Sequence, residues 1–328
     1  MASAALPPGT AERFARDFRE QGYAVVRCVF SPEEVRRLKG RFDATYAALL
    51  DAHGARSGTF VKGNQRVWMG QAPEGAPPDG RFVRGCQWQS YEDAALDAVR
   101  TDARLFELLE PLIGRDIKQI INQMHWKLPG STTQWRYHQD CRSRKPDAAF
   151  RALAESYVQV GIAVEAFTPA TGGMRVIPRS HAAGRDHGLE EAAAGLGMAG
   201  HAPSTEAQHH EMLRAAGLDP AALTECELQP GDLMAWGPYL VHGGGLNTTV
   251  AAPGEAAQTR AFYINGYVKA VNCDRGHVAW LDGVPQPLGD PVLVQVRRAR
   301  APRGRVGSLL RRAPSAHSMG AGIACPCP

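Results

Sequence analysis

Apolar positions recur every three or four residues along much of the first third of the chain. Phe14 and Phe18 stand four apart in a polar stretch and predict a short helix, and the β-branched and aromatic run from Gly22 to Phe30 predicts a strand after it. Val35, Leu38, Phe42, Tyr46 and Leu49 form one stripe of a helix running to about Leu50. Its start is marked by Ser31, Pro32 and Glu34: a cap hydroxyl, a proline at the first helical position and a glutamate at the third, which together make a capping box. A second helical pattern extends from Ala94 to Leu112, with Gly114 as its stop signal.

From Ile117 the texture changes. Short apolar or alternating runs at 117–128, 157–167, 174–178, 233–241, 261–270 and 292–296 are separated by glycine and proline. Many short strands with turns between them predict a β-sandwich or barrel rather than alternating βαβ units. The stretch 54–85 is rich in Gly, Pro and polar residues and reads as a long loop with a strand or two, either a lid over a site or a plain surface excursion. Residues 181–224, rich in Ala and His, read as a partly helical insert between strands. Residues 297–328 read as a flexible tail.

Composition narrows the function classes. The 328 residues, 44% hydrophobic and 21% charged, suffice for a sizeable core, and the length alone fits one large domain or two small ones. The net charge of +4 is unevenly placed: seven arginines and no acid follow Asp290, which leaves 30 basic against 33 acidic residues before it. A slightly acidic body argues against a nucleic-acid-binding face. No window reaches the ~18 consecutive apolar residues of a membrane helix, and the N-terminus has no basic region followed by an apolar stretch, so a cytosolic protein is expected. Seven cysteines, an odd set whose one close pair is Cys325 and Cys327, argue for reduced thiols rather than a disulfide framework.

Two segments carry candidate chemistry. In Tyr137-His138-Gln139-Asp140 the two ligand types lie two apart, which on a strand turns both to one face. Such a pair is weak evidence alone. About a hundred residues on, Gln229-Pro-Gly-Asp232 leads through Trp236 to His242. Two histidines and one carboxylate on one side of a metal leave positions open for dioxygen and substrates, the arrangement of non-haem Fe(II) oxygenases. Arg260 sits in an apolar run expected to be a core strand. A buried guanidinium requires an anion, and its fork of donors matches a carboxylate, either an internal Asp or Glu or the distal group of an acidic co-substrate. A metal-binding barrel without turnover, or a zinc or manganese hydrolase or isomerase, would use the same triad; a mere metal binder has no use for the carboxylate anchor that Arg260 offers, and oxygen uptake separates the enzymes.

These segments resemble the phytanoyl-CoA dioxygenase family from about Phe14 to Gln295. The matching pieces are Phe18–Val26 with Phe30–Val35, Lys127-Leu-Pro-Gly130, His138-Gln-Asp140, Gly172–His181, and Pro230-Gly-Asp232 through His242 to Asn247. The resemblance implies a mainly β protein with flanking helices, a double-stranded β-helix (jelly-roll) core. It implies one domain over 1–296, with helices at about 10–112, the β core at about 117–296 and the insert at 181–224. It also implies Fe(II) on His138, Asp140 and His242, with 2-oxoglutarate and O2 as co-substrates and a small molecule as substrate. Arg260 would hold the distal carboxylate, although it lies further beyond His242 than the family's arginine usually does, implying an insertion at 250–257. Gln123, His125 and Lys127 share a strand face that either lines the co-substrate pocket or meets solvent, and Thr249 is read as a further co-substrate contact. Asp140, where halogenating relatives carry a small residue, favours hydroxylation; desaturation, epoxidation or cyclisation would use the same iron. Trp126, Trp135, Tyr137 and Trp236 read as core packing, His181 as structural, and His209 and His210 as surface residues. Arg179 stands where the family has glycine.

Overall fold

The structure, a computed structural model, describes residues 5–54, 58–62, 65–71, 81–130, 134–198, 204–250 and 258–289. Helix α1 (Thr10–Gln21) leads into the short strand β1 (Tyr23–Val26) and helix α2 (Pro32–His53). The capping box forms: the Ser31 side chain accepts from Glu34 N, and the Glu34 carboxylate accepts from Ser31 N. The stretch 54–85, expected to be a long loop with a strand or two, instead contributes to an antiparallel run of three, β2 (Gly58–Lys62), β3 (Gln65–Gln71) and β4 (Arg81–Gln87).

The helical pattern from Ala94 breaks into two helices, α3 (Ala94–Arg100) and α4 (Ala103–Ile113). Asp102 causes the break: its carboxylate accepts from Arg104 N and so caps a new helix within the periodic stretch. The β-rich part follows as β5 (Ile117–Lys127), β6 (Trp135–His138), the single turn α5 (Leu153–Ser156), β7 (Tyr157–Ala163) and β8 (Met174–Ile177). Helices α6 (Leu189–Gly195) and α7 (Glu206–Ala215) occupy the insert, and β9 (Thr224–Cys226), β10 (Leu233–Trp236), β11 (Val241–Gly244), β12 (Arg260–Lys269), β13 (His277–Leu281) and β14 (Val284–Pro285) complete the described chain. The run expected over 233–241 is thus split by a turn, and its halves enter different sheets. The run at 292–296, most of the inferred insertion and the arginine-rich tail lie outside the described residues.

A large antiparallel sheet has the order β1-β10-β7-β12-β5-β4-β3-β2, with β13 and β14 beside β5, and a smaller one runs β6-β11-β8-β9. Their facing surfaces make the jelly-roll. The main core lies where α1 to α4 cover the outer face of the large sheet: Phe42 is fully buried and meets Trp126 and Tyr263 edge-on, with ring centroids at 5.3 and 5.9 Å. Burial of such a ring is worth roughly 1.5–3 kcal/mol. A second core, including Phe167, Trp236 and Phe262, fills the space between the sheets. Gly161 belongs to this fit, because a Cβ there would overlap the Phe262 ring.

Helices α6 and α7 cover the outer face of the small sheet through Leu189, Met212 and Leu213 against Tyr137, Ile177 and Val241. His209 is therefore no surface residue. It is 3% exposed and packs edge-on against Tyr137, while His210 is half-buried beside Glu206. Arg179 keeps the turn that glycine would make easily by taking φ +66°, a region costly for a residue with a Cβ. Among the described residues no helix is long and apolar enough to cross a membrane, and Cys28, Cys86, Cys141, Cys226 and Cys273 are free thiols.

Candidate metal centre and co-substrate pocket

Strands β6 and β11 pair with His138 opposite His242, so the small sheet itself brings the two imidazoles together, ring centroids 4.2 Å apart. His138 is the last residue of its strand. Asp140, expected on the same strand, lies beyond it and opens the 3-10 turn Asp140–Ser143, with Gln139 extended between them. The carboxylate nonetheless turns to the same side. Ligand atoms of His138, Asp140 and His242 all lie within 4.8 Å of one another, and His242 Nε2 is 3.8 Å from Asp140 Oδ2.

Local hydrogen bonds fix which atoms face inward. His138 Nδ1 bonds the Arg136 carbonyl at 2.7 Å and His242 Nδ1 bonds the Leu240 carbonyl at 3.0 Å. Both rings are thereby held in the tautomer that leaves Nε2 as a lone-pair donor. Trp236 donates from Nε1 to Asp140 Oδ2 at 3.0 Å, and Arg144 lies 3.5 Å from Oδ1. Burial opposes the charge on Asp140, but Arg144, the two histidines and the indole N–H outweigh it, and the carboxyl stays below its ordinary pKa. Burial and the neighbouring His138 push His242 down to about 4, which keeps it neutral near pH 7. Gln139 ties this corner together, donating to the carbonyls of Arg185 and Tyr239 and accepting from His187 N.

The triad opens onto a cavity of about 340 Å³. Arg260, at the start of β12, lines it with 5% exposure; it donates to the Gly172 carbonyl at 3.1 Å and stacks on Phe167, and its buried Nε has no partner. Among the described residues no carboxylate acts on it, and burial lowers it to about 10. Gln123 and His125 also line the cavity, bonded to each other at 2.9 Å, so the buried alternative for that face of β5 is the one realised. Burial first, then Arg260, Arg84 and Lys127, push His125 down to about 3. Lys127 sits behind the wall rather than in it, donating to the carbonyls of Gly172 and Gly245, and is held well below lysine's ordinary value by burial and the two arginines. Thr249 is not among the lining residues: its hydroxyl donates to Asn247 Oδ1 at 2.6 Å. Asn247, 1% exposed, instead braces Lys127 and Gln258 through their carbonyls.

Some lining residues were missed in the sequence. Trp236 and Trp135, both read as core, line the cavity, and Trp236 is at the same time part of the core between the sheets; Trp126 and Tyr137 are core as expected. Arg144, Gln159 and Arg84 line it as well. Arg144, four beyond Asp140, offered a spacing that could have been noticed; Gln159 and Arg84 become neighbours of the site only through strand pairing.

A jelly-roll with a His, Asp, His set between its sheets, and in the adjoining cavity a guanidinium with no acid beside it among the described residues, is the arrangement expected of mononuclear non-haem iron enzymes. Residues 18–252 match the Phytanoyl-CoA dioxygenase (PhyH) family, and the chain belongs to it. No curated protein matches the chain. Among solved structures it is similar to the non-heme alpha ketoglutarate dependent carbocyclase SnoK from nogalamycin biosynthesis, at 18% identity and TM-score 0.53 over 88% of this chain and 96% of that one. It is similar to EctD from S. alaskensis with bound Fe at 18% identity and TM-score 0.53, over 87% and 85% of the two chains. The non-heme alpha ketoglutarate dependent epimerase SnoN aligns at 16% identity and TM-score 0.51, over 87% and 96%. These likenesses establish the fold. The family match ends before Arg260, so that residue is assigned by its position in the fold.

Proposed function

We propose that this enzyme holds Fe(II) on His138, Asp140 and His242, anchors 2-oxoglutarate on Arg260, and hydroxylates a C–H bond of a small molecule. The donor set suits iron: two imidazole Nε2 atoms and one carboxylate, with no cysteine in the group among the described residues. The single observation that carries the co-substrate is Arg260, a buried guanidinium with an unused Nε and, among the described residues, no acid near it. A guanidinium so placed calls for an anion from outside the chain.

Iron and 2-oxoglutarate supply an oxidant made from dioxygen, with succinate and carbon dioxide as by-products. The chain's own residues do the rest. The Nδ1 bonds of His138 and His242 aim their Nε2 atoms, while Trp236 and Arg144 hold the Asp140 carboxylate in one orientation. Phe262, Ile264 and Trp236 keep the neighbouring wall apolar and limit water beside the metal site.

The test is oxygen uptake and succinate release by the Fe(II)-loaded enzyme over a panel of small molecules, with His138→Ala as control. The expected result is substrate-stimulated succinate release, lost in the variant, with one oxygen atom added to the product. The structures named as carbocyclase and epimerase support a second reading, ring closure or epimerisation at the same metal site. Desaturation is a further variant. Each gives a product without the added oxygen, so the product mass separates them from hydroxylation.

A further inference from the structure

The basic groups around the cavity exceed what the co-substrate needs. Arg84, Lys127 and Arg260 act electrostatically on His125 together, and among the described residues no carboxylate contributes to the field at any of the three. The distal group of 2-oxoglutarate brings one negative charge. Lys127 already donates to the carbonyls of Gly172 and Gly245, which leaves the two guanidinium groups of Arg84 and Arg260 facing one carboxylate. Arg144 does not change this balance, because Asp140 sits 3.5 Å from it.

Arg260 and Arg84 approach from different sides. Arg260 is 5% exposed, on β12, against Phe167. Arg84 is half-buried on β4, in the wall formed with Thr59 of β2 and Trp68 of β3. Its guanidinium lies 5.8 Å from the centroid of the Trp135 ring, whose other neighbour is His125. Gly70 on β3 lets the side chain lie across the strand, since a Cβ there would come within 2.9 Å of Arg84 Cδ. A desolvated guanidinium kept over an aromatic ring with no acid beside it is an anion site.

Resting on the 2-oxoglutarate reading above, we propose that Arg84 is a specificity-determining residue and that the enzyme's substrate carries an anionic group, carboxylate or phosphate, which pairs with it beside Trp68 and Trp135. The substrate would then be oriented by one charged end, with its remainder directed along the apolar wall toward the metal ligands. A neutral analogue of the same shape would bind without that orientation.

The test uses the full-length enzyme, loaded anaerobically with Fe(II) and saturating 2-oxoglutarate and titrated with inorganic phosphate at constant ionic strength while tryptophan fluorescence is followed. A saturable change is expected, weakened about tenfold in Arg84→Gln, the equivalent of one charge-assisted contact, and retained in part by Arg84→Lys. The 2-oxoglutarate affinity, read from the visible iron–keto-acid absorption band, should be the same in all three proteins. A phosphate response that is absent from the parent enzyme, or equal in Arg84→Gln, would overturn the proposal. So would a 2-oxoglutarate affinity that falls in Arg84→Gln with phosphate binding unaltered, which would assign Arg84 to the co-substrate. If instead the parent enzyme develops no absorption band with 2-oxoglutarate, the co-substrate reading fails, and the phosphate titration still reports on Arg84 by itself.

Discussion

Replacing Arg260 with methionine is expected to move two measurements in opposite directions. Burial lowers the guanidinium from 12.5 to about 10, which at 1.36 kcal/mol per pKa unit is a penalty of about 3 kcal/mol for carrying the charge without an anion. Arginine is charged in both the folded and unfolded states below pH 10, so this penalty is constant across the neutral range. Against it stand the bond to the Gly172 carbonyl and the stack on Phe167, each worth about 1 kcal/mol. Methionine fills similar volume without charge, so Arg260→Met should stabilise the co-substrate-free protein by about 1 kcal/mol, a rise of a few degrees at most in Tm. Removing one partner of a buried ion pair costs about 3–5 kcal/mol, so the affinity for 2-oxoglutarate should fall by at least about a hundredfold. With 2-oxoglutarate at about a hundred times its Kd, the parent gains about 2.7 kcal/mol and the variant almost nothing, so the order of the two melting temperatures should reverse. The assay is thermal unfolding of the metal-loaded proteins with and without 2-oxoglutarate, together with calorimetric titration. A variant that is less stable without co-substrate and binds it unchanged would refute the reasoning, since Arg260 would then be a structural residue satisfied by Gly172.

Three further outcomes are expected. Trp236→Phe keeps the ring but removes the 3.0 Å bond to Asp140, and should weaken metal binding about 10- to 100-fold in a metal titration with little change in Tm. Glu34 is lowered to about 2, chiefly by the hydrogen bond from Arg104; a depressed carboxyl stabilises above its unfolded value and loses that contribution as pH falls through the folded one. The difference in urea midpoint between the parent and Glu34→Gln should therefore be full near neutral pH and close between about pH 4.5 and 2; a gap that does not narrow there would show that the ion pair contributes nothing. Gly161→Ala would drive a methyl group into Phe262, which lines the cavity, and should cost about 1–3 kcal/mol of stability in a denaturant titration together with most of the turnover.

The legible parts of this chain were those governed by local rules. The capping box at Ser31, the stripe from Val35 to Leu49 and the alternating run at 117–128 each follow from neighbours in sequence, and each has its counterpart in α2 or β5. The candidate ligands were legible because residue type and order along the chain carry the chemistry, although the position of Asp140 beyond its strand was not. What could not be read depends on pairing at a distance. Trp236 looked like core because nothing in its surroundings along the chain tells that β10 places its indole N–H against Asp140. His209 looked exposed in an alanine-rich insert, yet α7 packs it under Tyr137. The split at Asp102 is the converse case, a local cap signal overlooked within a strong periodic pattern.

The same division separates what this architecture holds constant from what it can vary. His138 and His242 are registered by a strand pair, and each is locked by a carbonyl two residues back in its own chain, so neither depends on the insert or on the β2–β4 edge. Arg260 is likewise fixed within a central strand flanked by β5 and, from Phe262 onward, β7. The wall that carries Thr59, Trp68 and Arg84 lies toward the outer edge of the large sheet, where β2 has a single neighbour. Substitutions there disturb few other strands. On the proposals above, a metal and co-substrate held at the centre of the sheets, with substrate contacts drawn from their edge, would let the edge change its charge and shape while the ligands stay in register. For this chain that directs the search for substrate determinants to β2, β3 and β4, which fall largely in the stretch 54–85 that the sequence presented as a long loop.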